Sequence, residues 1–316
     1  MREYYSFEAC RFDPNVPVIV AMGFFDGLHS AHRAILQQCK QRARERGGIA
    51  VALTFHNHPS TVLRPENPTP LLSPFALKRR WFAHLGMDAL VAVPFTLELS
   101  RTAADEFIQR VLLDTLHARE IVVGFNFCFG YNREGTATYL QERTPDLFDH
   151  VAVIEPLTHG DETISSSRIR QAVIEGDLQN AQHWLGHPVQ VAGPVVRGDG
   201  RGTSIGIPTA NIDYDNHLLP PNGVYGVQVQ QDSLDAPAHW GVMNIGVVPT
   251  FKNELVRTAE VHLLDYQDDL YDQYLIASLL HSIRPERKFS GPEELINQID
   301  DDISAFRQWI EQNAKG

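Results

Sequence analysis

Two histidines lie at a turn where an apolar segment gives way to a helix-like pattern. The apolar segment ends at Met22, the stretch Gly-Phe-Phe-Asp-Gly follows it, and His29 and His32 stand just beyond. Glycines at a strand-to-helix turn allow backbone N–H groups to approach an anion at the helix N-terminus. Two imidazoles three residues apart can donate to one phosphate and stabilise charge that develops during its transfer. The turn therefore predicts a phosphate site, although an ordinary turn with two exposed histidines fits the same pattern.

A second candidate for phosphate binding opens a later helix pattern. Ser165, Ser166 and Arg168 lie in the stretch Ile-Ser-Ser-Ser-Arg-Ile-Arg. Hydroxyls at a helix start, together with a forked guanidinium group, can clamp a triphosphate. In isolation the same residues fit a serine N-cap beside a solvated arginine.

Aromatic and amide side chains follow two further strand patterns. His58 comes soon after the second pattern and Asn126 soon after the fourth, each among aromatic residues. Such side chains can line a pocket for a flat ring, and apolar packing at the strand ends explains them about equally well. Lys78 and Arg133 could serve anions, but we expect both to be solvated.

A glycine-rich loop over residues 198–211 carries the candidate chemistry of the second half. Its glycines free the loop to wrap around phosphates, while Thr209 and Asn211 offer two neutral oxygens to a hard cation. Mg²⁺ usually takes few protein ligands beside substrate phosphates, so this sparse set is adequate. A glycine-rich hairpin with an Asx turn is the alternative. Glu260, in a later strand-like run, could accept the proton of an attacking alcohol, although a lone strand glutamate is more often solvated.

Alternating strand and helix patterns position the candidate residues of the first half. The apolar strand candidates are residues 18–22, 49–55, 89–93, 121–123 and 151–154. The helix candidates between them, where apolar residues recur at three and four, are residues 32–46, 77–85 and 102–116. This order predicts a parallel α/β sheet with helices on both faces and with ligands at the carboxyl ends of its strands.

The pattern changes after Gly186, where glycines punctuate β-prone segments such as 223–230 and 256–264. This texture predicts an antiparallel sheet or a small barrel. Pro292 and two glutamates then open an amphipathic closing helix. Its apolar face consists of Leu295, Ile299, Ile303, Phe306 and Ile310. We place the domain boundary so that residues 1–186 form the first domain and residues 187–316 the second.

Composition limits the classes of function. The 316 residues suggest two domains at about 150 residues each. With 27 basic and 39 acidic side chains the net charge is −12, which disfavours nucleic-acid binding. Three widely separated cysteines favour a reducing compartment, and no apolar run approaches the roughly 18 residues of a membrane span. The sequence predicts a cytoplasmic protein without nucleic-acid or membrane partners, as a monomer or a weak homo-oligomer.

Taken in order, the motifs resemble those of the prokaryotic bifunctional riboflavin kinase/FMN adenylyltransferases, also called FAD synthetases. The resemblance extends through nearly the whole chain. It rests on residues 23–32, 58–59, 124–130, 164–170, 198–211, 223–225, 244–246, 249–251, 260–265 and 283–285.

The resemblance implies an N-terminal Rossmann-like nucleotidyltransferase domain and a C-terminal six-stranded antiparallel β-barrel with a closing helix. The barrel domain would transfer the γ-phosphoryl group of ATP to the 5′-hydroxyl of riboflavin, giving FMN. The first domain would join FMN to the AMP part of a second ATP, releasing pyrophosphate and FAD. Riboflavin, FMN and ATP would be the small-molecule partners, and Mg²⁺ the metal.

The resemblance also assigns residues of the first domain. His29 and His32 would be catalytic, and His58 and Asn126 would lie near the flavin. ATP would contact Gly23, Phe24, Asp26, Gly27, His29, His32, Ser165, Ser166 and Arg168.

In the second domain the resemblance makes Glu260 the catalytic base, with Asn244 and Arg284 near the flavin. Thr209 and Asn211 would hold Mg²⁺. ATP would contact Gly198, Gly202, Gly206, Pro208, Thr209 and Asn211.

Alternative functions follow from departures from the family pattern. Ala31 stands where the family's His-x-Gly-His motif has glycine, Asn57 and Cys128 also depart, and Asp272 replaces another usual glycine. One alternative is a riboflavin kinase whose first domain has lost catalysis. A second is a flavin-binding regulator without turnover, and a third is a generic adenylyltransferase fused to an oligonucleotide-binding barrel. An intact Glu260 and the acidic balance count against the last two, respectively.

Overall fold

The computed structural model describes residues 1–144, 146–160, 162–198, 202, 206–215, 217–249 and 255–313. Parts of two predicted motifs, residues 199–201, 203–205 and 250–251, lie outside the described residues. The chain forms two compact units. The first comprises Met1–Leu71 and Lys78–Ser166, and the second comprises Leu72–Leu77 and Ser167–Gly316.

A parallel six-stranded sheet forms the centre of the first unit. The strands of this unit are β1 (Arg2–Tyr4), β2 (Val18–Met22), β3 (Ile49–Phe55), β4 (Ala89–Val93), β5 (Ala118–Gly124), β6 (Cys128–Phe129), β7 (Gly135–Thr136), β8 (His150–Ile154), β9 (Thr158–His159) and β10 (Glu162–Thr163). The sheet order is β1-β4-β3-β2-β5-β8, and every pair in it is parallel. The short strands form two antiparallel pairs, β6 with β7 and β9 with β10.

The central strands are continuous apolar runs because helices cover both faces of the sheet. β2 and β4 are buried at every position. The predicted bounds of β2, β3 and β4 are confirmed, while β5 and β8 each extend beyond the predicted residues. β1 is an edge strand on β4 that the sequence did not predict, because its three residues are polar or aromatic.

Helices connect the parallel strands. The helices of the chain are α1 (Ser30–Arg46), α2 (Ser60–Leu63), α3 (Phe75–His84), α4 (Leu97–Ser100), α5 (Ala104–Phe107), α6 (Ala137–Gln141), α7 (Ser166–Glu175), α8 (Leu178–Leu185) and α9 (Pro292–Asn313). The predicted helix over residues 102–116 is shorter at its start, and beyond α5 it widens into a π-helix over Ile108–Thr115. Ile108, Val111, Leu112 and Leu116 all face the core.

The order of the strands predicts where a ligand site can form. From β2 the chain proceeds to β3 and β4 on one side of the sheet, and later to β5 and β8 on the other side. The connections that leave β2 and β5 therefore diverge, which opens a crevice beyond the carboxyl ends of these two strands.

The second unit contains a closed antiparallel barrel. Its strands are β11 (Val189–Val196), β12 (Ala210–Ile212), β13 (Gly223–Gln231), β14 (His239–Pro249), β15 (Leu255–Leu263) and β16 (Tyr274–Pro285). The order around the barrel is β11-β12-β15-β14-β13-β16, and aliphatic side chains fill the interior. The barrel and its closing helix confirm the predicted architecture.

Helix α9 packs against the outside of this barrel. The ring of Phe306 is fully buried and lies so close to Gly226 of β13 that a Cβ atom there would overlap it. Ile303 and Ile310 pack in the same cluster, which confirms that part of the predicted apolar face. Glycine at position 226 is therefore a requirement for seating the helix.

A buried carboxylate fastens α1 to β5 in the first unit. The side chain of Glu120 is 1% exposed and accepts hydrogen bonds from Arg42 Nε at 2.6 Å and from Arg46 Nε at 2.6 Å. Burial alone would raise the pKa of Glu120, but the hydrogen bonds from both arginines outweigh it and lower the pKa below its ordinary value of 4.5. The ion pair thus holds the helix that begins at the histidine turn.

We expect Glu120→Gln to lower the free energy of unfolding by about 2 kcal/mol near neutral pH, because two guanidinium groups lose their carboxylate. Since the folded-state pKa lies below the unfolded value, the stabilisation is complete above pH 4.5 and is lost as the pH falls through the folded-state pKa. Thermal melts across this range should show the difference from wild type shrinking with acid. Glu45→Gln, which removes an exposed partner of Arg42, is the matched control. Equal melting temperatures near neutral pH would contradict the assignment.

Candidate active sites

The turn between β2 and α1 adopts an unusual backbone conformation. Phe25, Gly27 and Leu28 have φ angles of 56°, 70° and 44°, in the left-handed region. Glycine adopts this region freely, whereas Phe25 and Leu28 do so at a cost in strain. Both of their side chains are fully buried, and Phe25 packs edge-on against Phe82 of α3 with ring centroids 5.6 Å apart. Packing therefore holds the turn in its strained form.

The turn brings His29 and His32 together at the start of α1. Their rings stack with centroids 3.6 Å apart and planes 19° apart. His29 is the N-cap of the helix, and its Nδ1 accepts a hydrogen bond from the backbone N–H of His32 at 3.4 Å. A neutral imidazole that accepts at Nδ1 carries its proton on Nε2. His29 therefore lies at the positive end of the helix with a ring N–H as its donor group.

A cavity of about 880 Å³ opens at the carboxyl ends of the central strands, as the strand order predicts. Its apolar wall includes Met22, Leu53, Phe55, Phe95, Phe127 and Phe129. Its polar lining includes His32, Asn126, Arg101 and Arg133. A cavity of this size, with mostly apolar walls and few polar groups, suits a large flat ligand.

Other predicted residues of the first unit surround this cavity. Gly23 and Phe24 line it directly, while Asp26 and Gly27 are buried within the turn. The ring of His58 meets that of Phe24 edge-on, with centroids 4.6 Å apart, and the next residue, Pro59, lines the cavity.

The predicted serine and arginine clamp is divided between the units. Ser165 precedes α7 and Ser166 opens it, both in the first unit. Arg168 belongs to the second unit, where its guanidinium lies over the ring of Trp184 at 5.4 Å from the centroid. A joint role of these residues with His29 stays a prediction.

Lys78 is buried, and the expectation that it is solvated is wrong. Its side chain is 1% exposed, and its Nζ donates to the backbone oxygens of Phe24 at 3.0 Å and of Phe55 at 3.4 Å. A charged residue in a helix pattern predicts exposure, and only the tertiary contacts could have shown otherwise. Arg133 is exposed as expected, yet it lines the cavity and has a φ of 62°.

In the second unit, strand pairing places three predicted residues in one row. Asn211 on β12 pairs with Glu260 on β15, and Glu260 pairs with Asn244 on β14. Directly paired residues project from the same face of a sheet. The residues next to the row, such as Ala210 and Val261, belong to the barrel interior. The row therefore faces outward, with an amide on each side of the carboxylate.

Gly198 and Gly202 of the 198–211 loop lie against the predicted metal ligands. A Cβ atom at Gly198 would overlap the side-chain amide of Asn211, and one at Gly202 would lie 3.0 Å from Thr209 Oγ1. Gly206 has a φ of 81°, which favours glycine. The loop can follow this path only without side chains at these positions.

Oxygen donors at this site fit a hard cation. Thr209 offers a hydroxyl and Asn211 an amide oxygen, which suit Mg²⁺ when phosphates and water supply its other ligands. The described residues contain no cluster of three or more His, Cys, Asp or Glu side chains that could hold a metal alone.

A smaller cavity of about 290 Å³ lies beside Pro208 and Thr209. His262, which the sequence analysis did not single out, donates from Nδ1 to the carbonyl of Pro208 at 2.7 Å and so holds the loop's end. At the rim of this cavity, Asp272 follows Tyr271 and has a φ of 63°. This conformation explains why glycine is usual there, and aspartate tolerates it better than most residues.

Arg284 extends the same row but is engaged elsewhere. It pairs across β13 through Val224, yet its guanidinium binds Asp302 of α9, with Nη2 2.8 Å from Oδ2. Asp302 is 3% exposed, so this ion pair joins the barrel to its closing helix. Contact of Arg284 with a flavin stays a prediction.

Comparison with known proteins gives a consistent result for both units. A family model described as FAD synthetase matches residues 13–168, and one described as riboflavin kinase matches residues 185–310. A bifunctional riboflavin kinase/FMN adenylyltransferase of Listeria monocytogenes is 36% identical over 294 residues, covering 92% of each chain. That of Escherichia coli is 33% identical over 297 residues, covering 94% of each. The chain belongs to the bifunctional riboflavin kinase/FMN adenylyltransferase family.

A solved structure also matches this family member along almost its whole length. The crystal structure of a macrolide-efflux protein from Streptococcus pneumoniae superposes with a TM-score of 0.81 at 28% identity, covering 97% of this chain and 98% of that one. In the part of the chain that the structure describes, no helix combines the length and apolar character needed to cross a membrane.

We expect Gly198→Ala to reduce riboflavin phosphorylation at least about tenfold, because the added methyl group displaces the Asn211 amide. FAD formation from supplied FMN should be unchanged, since it belongs to the other unit. Steady-state kinetics of both reactions provide the measurement. Gly291→Ala, where an added Cβ meets nothing within 4 Å, is the matched control. Full kinase activity in Gly198→Ala would contradict the proposed closeness of loop and ligands.

Proposed function

We propose that the chain converts riboflavin to FMN and then FMN to FAD, consuming one ATP in each step. The observation that carries this proposal is the pair of family matches, each on a stretch that contains one of the two candidate phosphate sites. A kinase alone does not account for the first match, nor an adenylyltransferase alone for the second.

We assign residues 1–186 to adenylyl transfer and residues 187–316 to phosphorylation. Most of α7 and most of α8 lie between the two family matches, and this supports a boundary in that part of the chain.

In the adenylyltransferase, a phosphate oxygen of FMN attacks the α-phosphorus of ATP and pyrophosphate leaves. His29 and His32 donate to the phosphates and stabilise the charge that builds up on them. Backbone N–H groups of the turn that includes Gly23 and Phe24 hold the triphosphate, aided by Ser165, Ser166 and Arg168. We assign the flavin ring to the large cavity, beside Asn126 and His58; the mostly apolar walls of the cavity support this assignment.

In the kinase, Glu260 accepts the proton of the riboflavin 5′-hydroxyl as its oxygen attacks the γ-phosphorus of ATP. Thr209 and Asn211 would hold Mg²⁺, which would supply charge neutralisation at the phosphates. Gly198, Gly202, Gly206 and Pro208 shape the loop around the nucleotide. Asn244, paired with Glu260, orients the flavin, and Arg284 lies at the far end of the same row.

We infer a cytoplasmic enzyme. Cys10, Cys39 and Cys128 form no disulfide in the described residues, and burial raises the pKa of Cys10 to about 11 and that of Cys39 to about 12. Such free thiols fit a reducing compartment. The net charge of −12 supports small-molecule rather than nucleic-acid partners, and a monomer or weak homo-oligomer remains our proposal.

A product time course from riboflavin, ATP and Mg²⁺ tests the function as a whole. We expect FMN to appear first and FAD to follow, as separated by chromatography. Accumulation of FMN without FAD would support the alternative that the first domain has lost catalysis, to which Ala31 points. Tight flavin binding without ATP consumption would support a regulator instead.

The two sites should be separable by single substitutions. Glu260→Gln is expected to reduce FMN formation about 100-fold or more, because the general base is lost, and to spare FAD formation from supplied FMN. His29→Ala should do the reverse, with a loss of about 100-fold. Each variant serves as the folding control of the other. Equal loss of both reactions in either variant would contradict independent sites.

A further inference from the structure

The strained turn at residues 25–28 must be held by contacts with the rest of the unit. Phe25 and Leu28 have unfavourable φ angles, and such angles persist only where the surrounding structure fixes them. Side-chain packing supplies part of these contacts, as described above. Packing alone, however, does not fix the direction of the peptide group between Phe24 and Phe25, which leads from β2 into the turn.

That peptide group is held by two side-chain donors. The carbonyl oxygen of Phe24 accepts from Lys78 Nζ at 3.0 Å and from Thr54 Oγ1 at 3.1 Å. Lys78 Nζ also reaches the carbonyl of Phe55 at 3.4 Å and lies 3.8 Å from the centroid of the Phe24 ring. The ammonium group therefore bridges the ends of two neighbouring strands directly beneath the turn.

Burial of a charged lysine at this position lowers the stability of the fold. Its side chain is 1% exposed, and burial lowers the pKa of Lys78 from 10.5 to about 8, although attraction to Asp26 partly offsets this. The ammonium offsets this cost in part through its hydrogen bonds to the two carbonyls. One of these carbonyls belongs to Phe24, where the phosphate turn begins, so the buried donor acts directly on the path of the turn.

We propose that Lys78 is a positioning residue of the adenylyltransferase site, which aligns the turn over residues 23–29 so that His29 and His32 meet the nucleotide phosphates. The ammonium group of Lys78 holds the carbonyl of Phe24 in place. The peptide group of this carbonyl then determines the direction of the turn, which ends at His29, the N-cap of α1. The inference rests on the proposed adenylyl transfer. Lys78 itself touches neither substrate in this scheme.

Lys78→Met tests this role, with the kinase reaction of the same molecule as an internal control. We expect kcat for FAD formation from FMN to fall about 10- to 100-fold, because the histidines lose their alignment. The KM for FMN should change much less, and riboflavin phosphorylation should stay at the wild-type rate. The melting temperature should fall, since two backbone carbonyls lose a donor and the buried Asp26 loses the attraction of a cation, so kcat is compared at a temperature at which both proteins stay folded.

Lys40→Met is the matched control, because Lys40 also donates to a backbone carbonyl of this unit, that of Leu85 at 2.7 Å, away from the turn. It should leave both reactions unchanged. Thr54→Val removes the second donor to Phe24 with almost no change of shape. Because both donors act on one carbonyl, the double variant Lys78→Met/Thr54→Val should lose less than the product of the two single losses.

Nuclear magnetic resonance of the histidine rings gives a readout that does not need turnover. Lys78→Met should shift the ring signals of His29 and His32 and leave those of His281, in the second unit, in place. Wild-type FAD formation with undiminished kcat in Lys78→Met would overturn the proposal. A lowered melting temperature with full kcat at low temperature would also overturn it, by showing a purely structural role. If wild type itself formed no FAD, the proposed function would fail, and unshifted histidine signals would then refute the positioning role separately.

Discussion

The opposite directions in which the chain leaves two neighbouring parallel strands determine where the first unit can do chemistry. The chain leaves β2 toward β3 and leaves β5 toward β8, so the connections at the carboxyl ends of β2 and β5 turn away from each other, and apolar walls surround the gap between them. The histidine turn follows β2 and Asn126 follows β5. Helix α1, held to β5 by Glu120, then presents its N-terminus to the same gap. The cavity, the donor side chains and the N-terminus of α1 therefore all lie at the carboxyl ends of these neighbouring strands.

In our proposal the two units bind phosphate by different physical means. The first would use a helix N-terminus and imidazole donors at a turn whose backbone is strained and buried. The second would use the outer face of a closed barrel, where strand pairing aligns Asn211, Glu260 and Asn244, and glycines lie against two of the oxygen donors. In both units the proposed donors lie on a helix or strand or directly before one.

Sequence patterns predicted the elements with strong local signals. Continuous apolar runs predicted the first and last residues of β2, β3 and β4. The glycines that punctuate the β-prone segments predicted an antiparallel sheet or a small barrel in the second half. Strand β1 was not predicted, because its three polar or aromatic residues form no apolar run and no alternating pattern. The row through Asn211 and Glu260 could not be derived from spacing, since 49 positions separate them and only barrel closure sets their register. Lys78 was misjudged because burial of a charge depends on partners from other elements.

The outward row has a consequence for how the barrel forms. Side chains alternate between the two faces of a strand, so a shift of one residue between β12 and β15 would turn Glu260 inward and expose Val261. Such a barrel would lose its apolar filling and the outward carboxylate that we propose as the base together. Phosphorylating activity would therefore report directly on correct strand alignment. Molecules with a misaligned barrel would not phosphorylate riboflavin, while their first unit would continue to make FAD from supplied FMN.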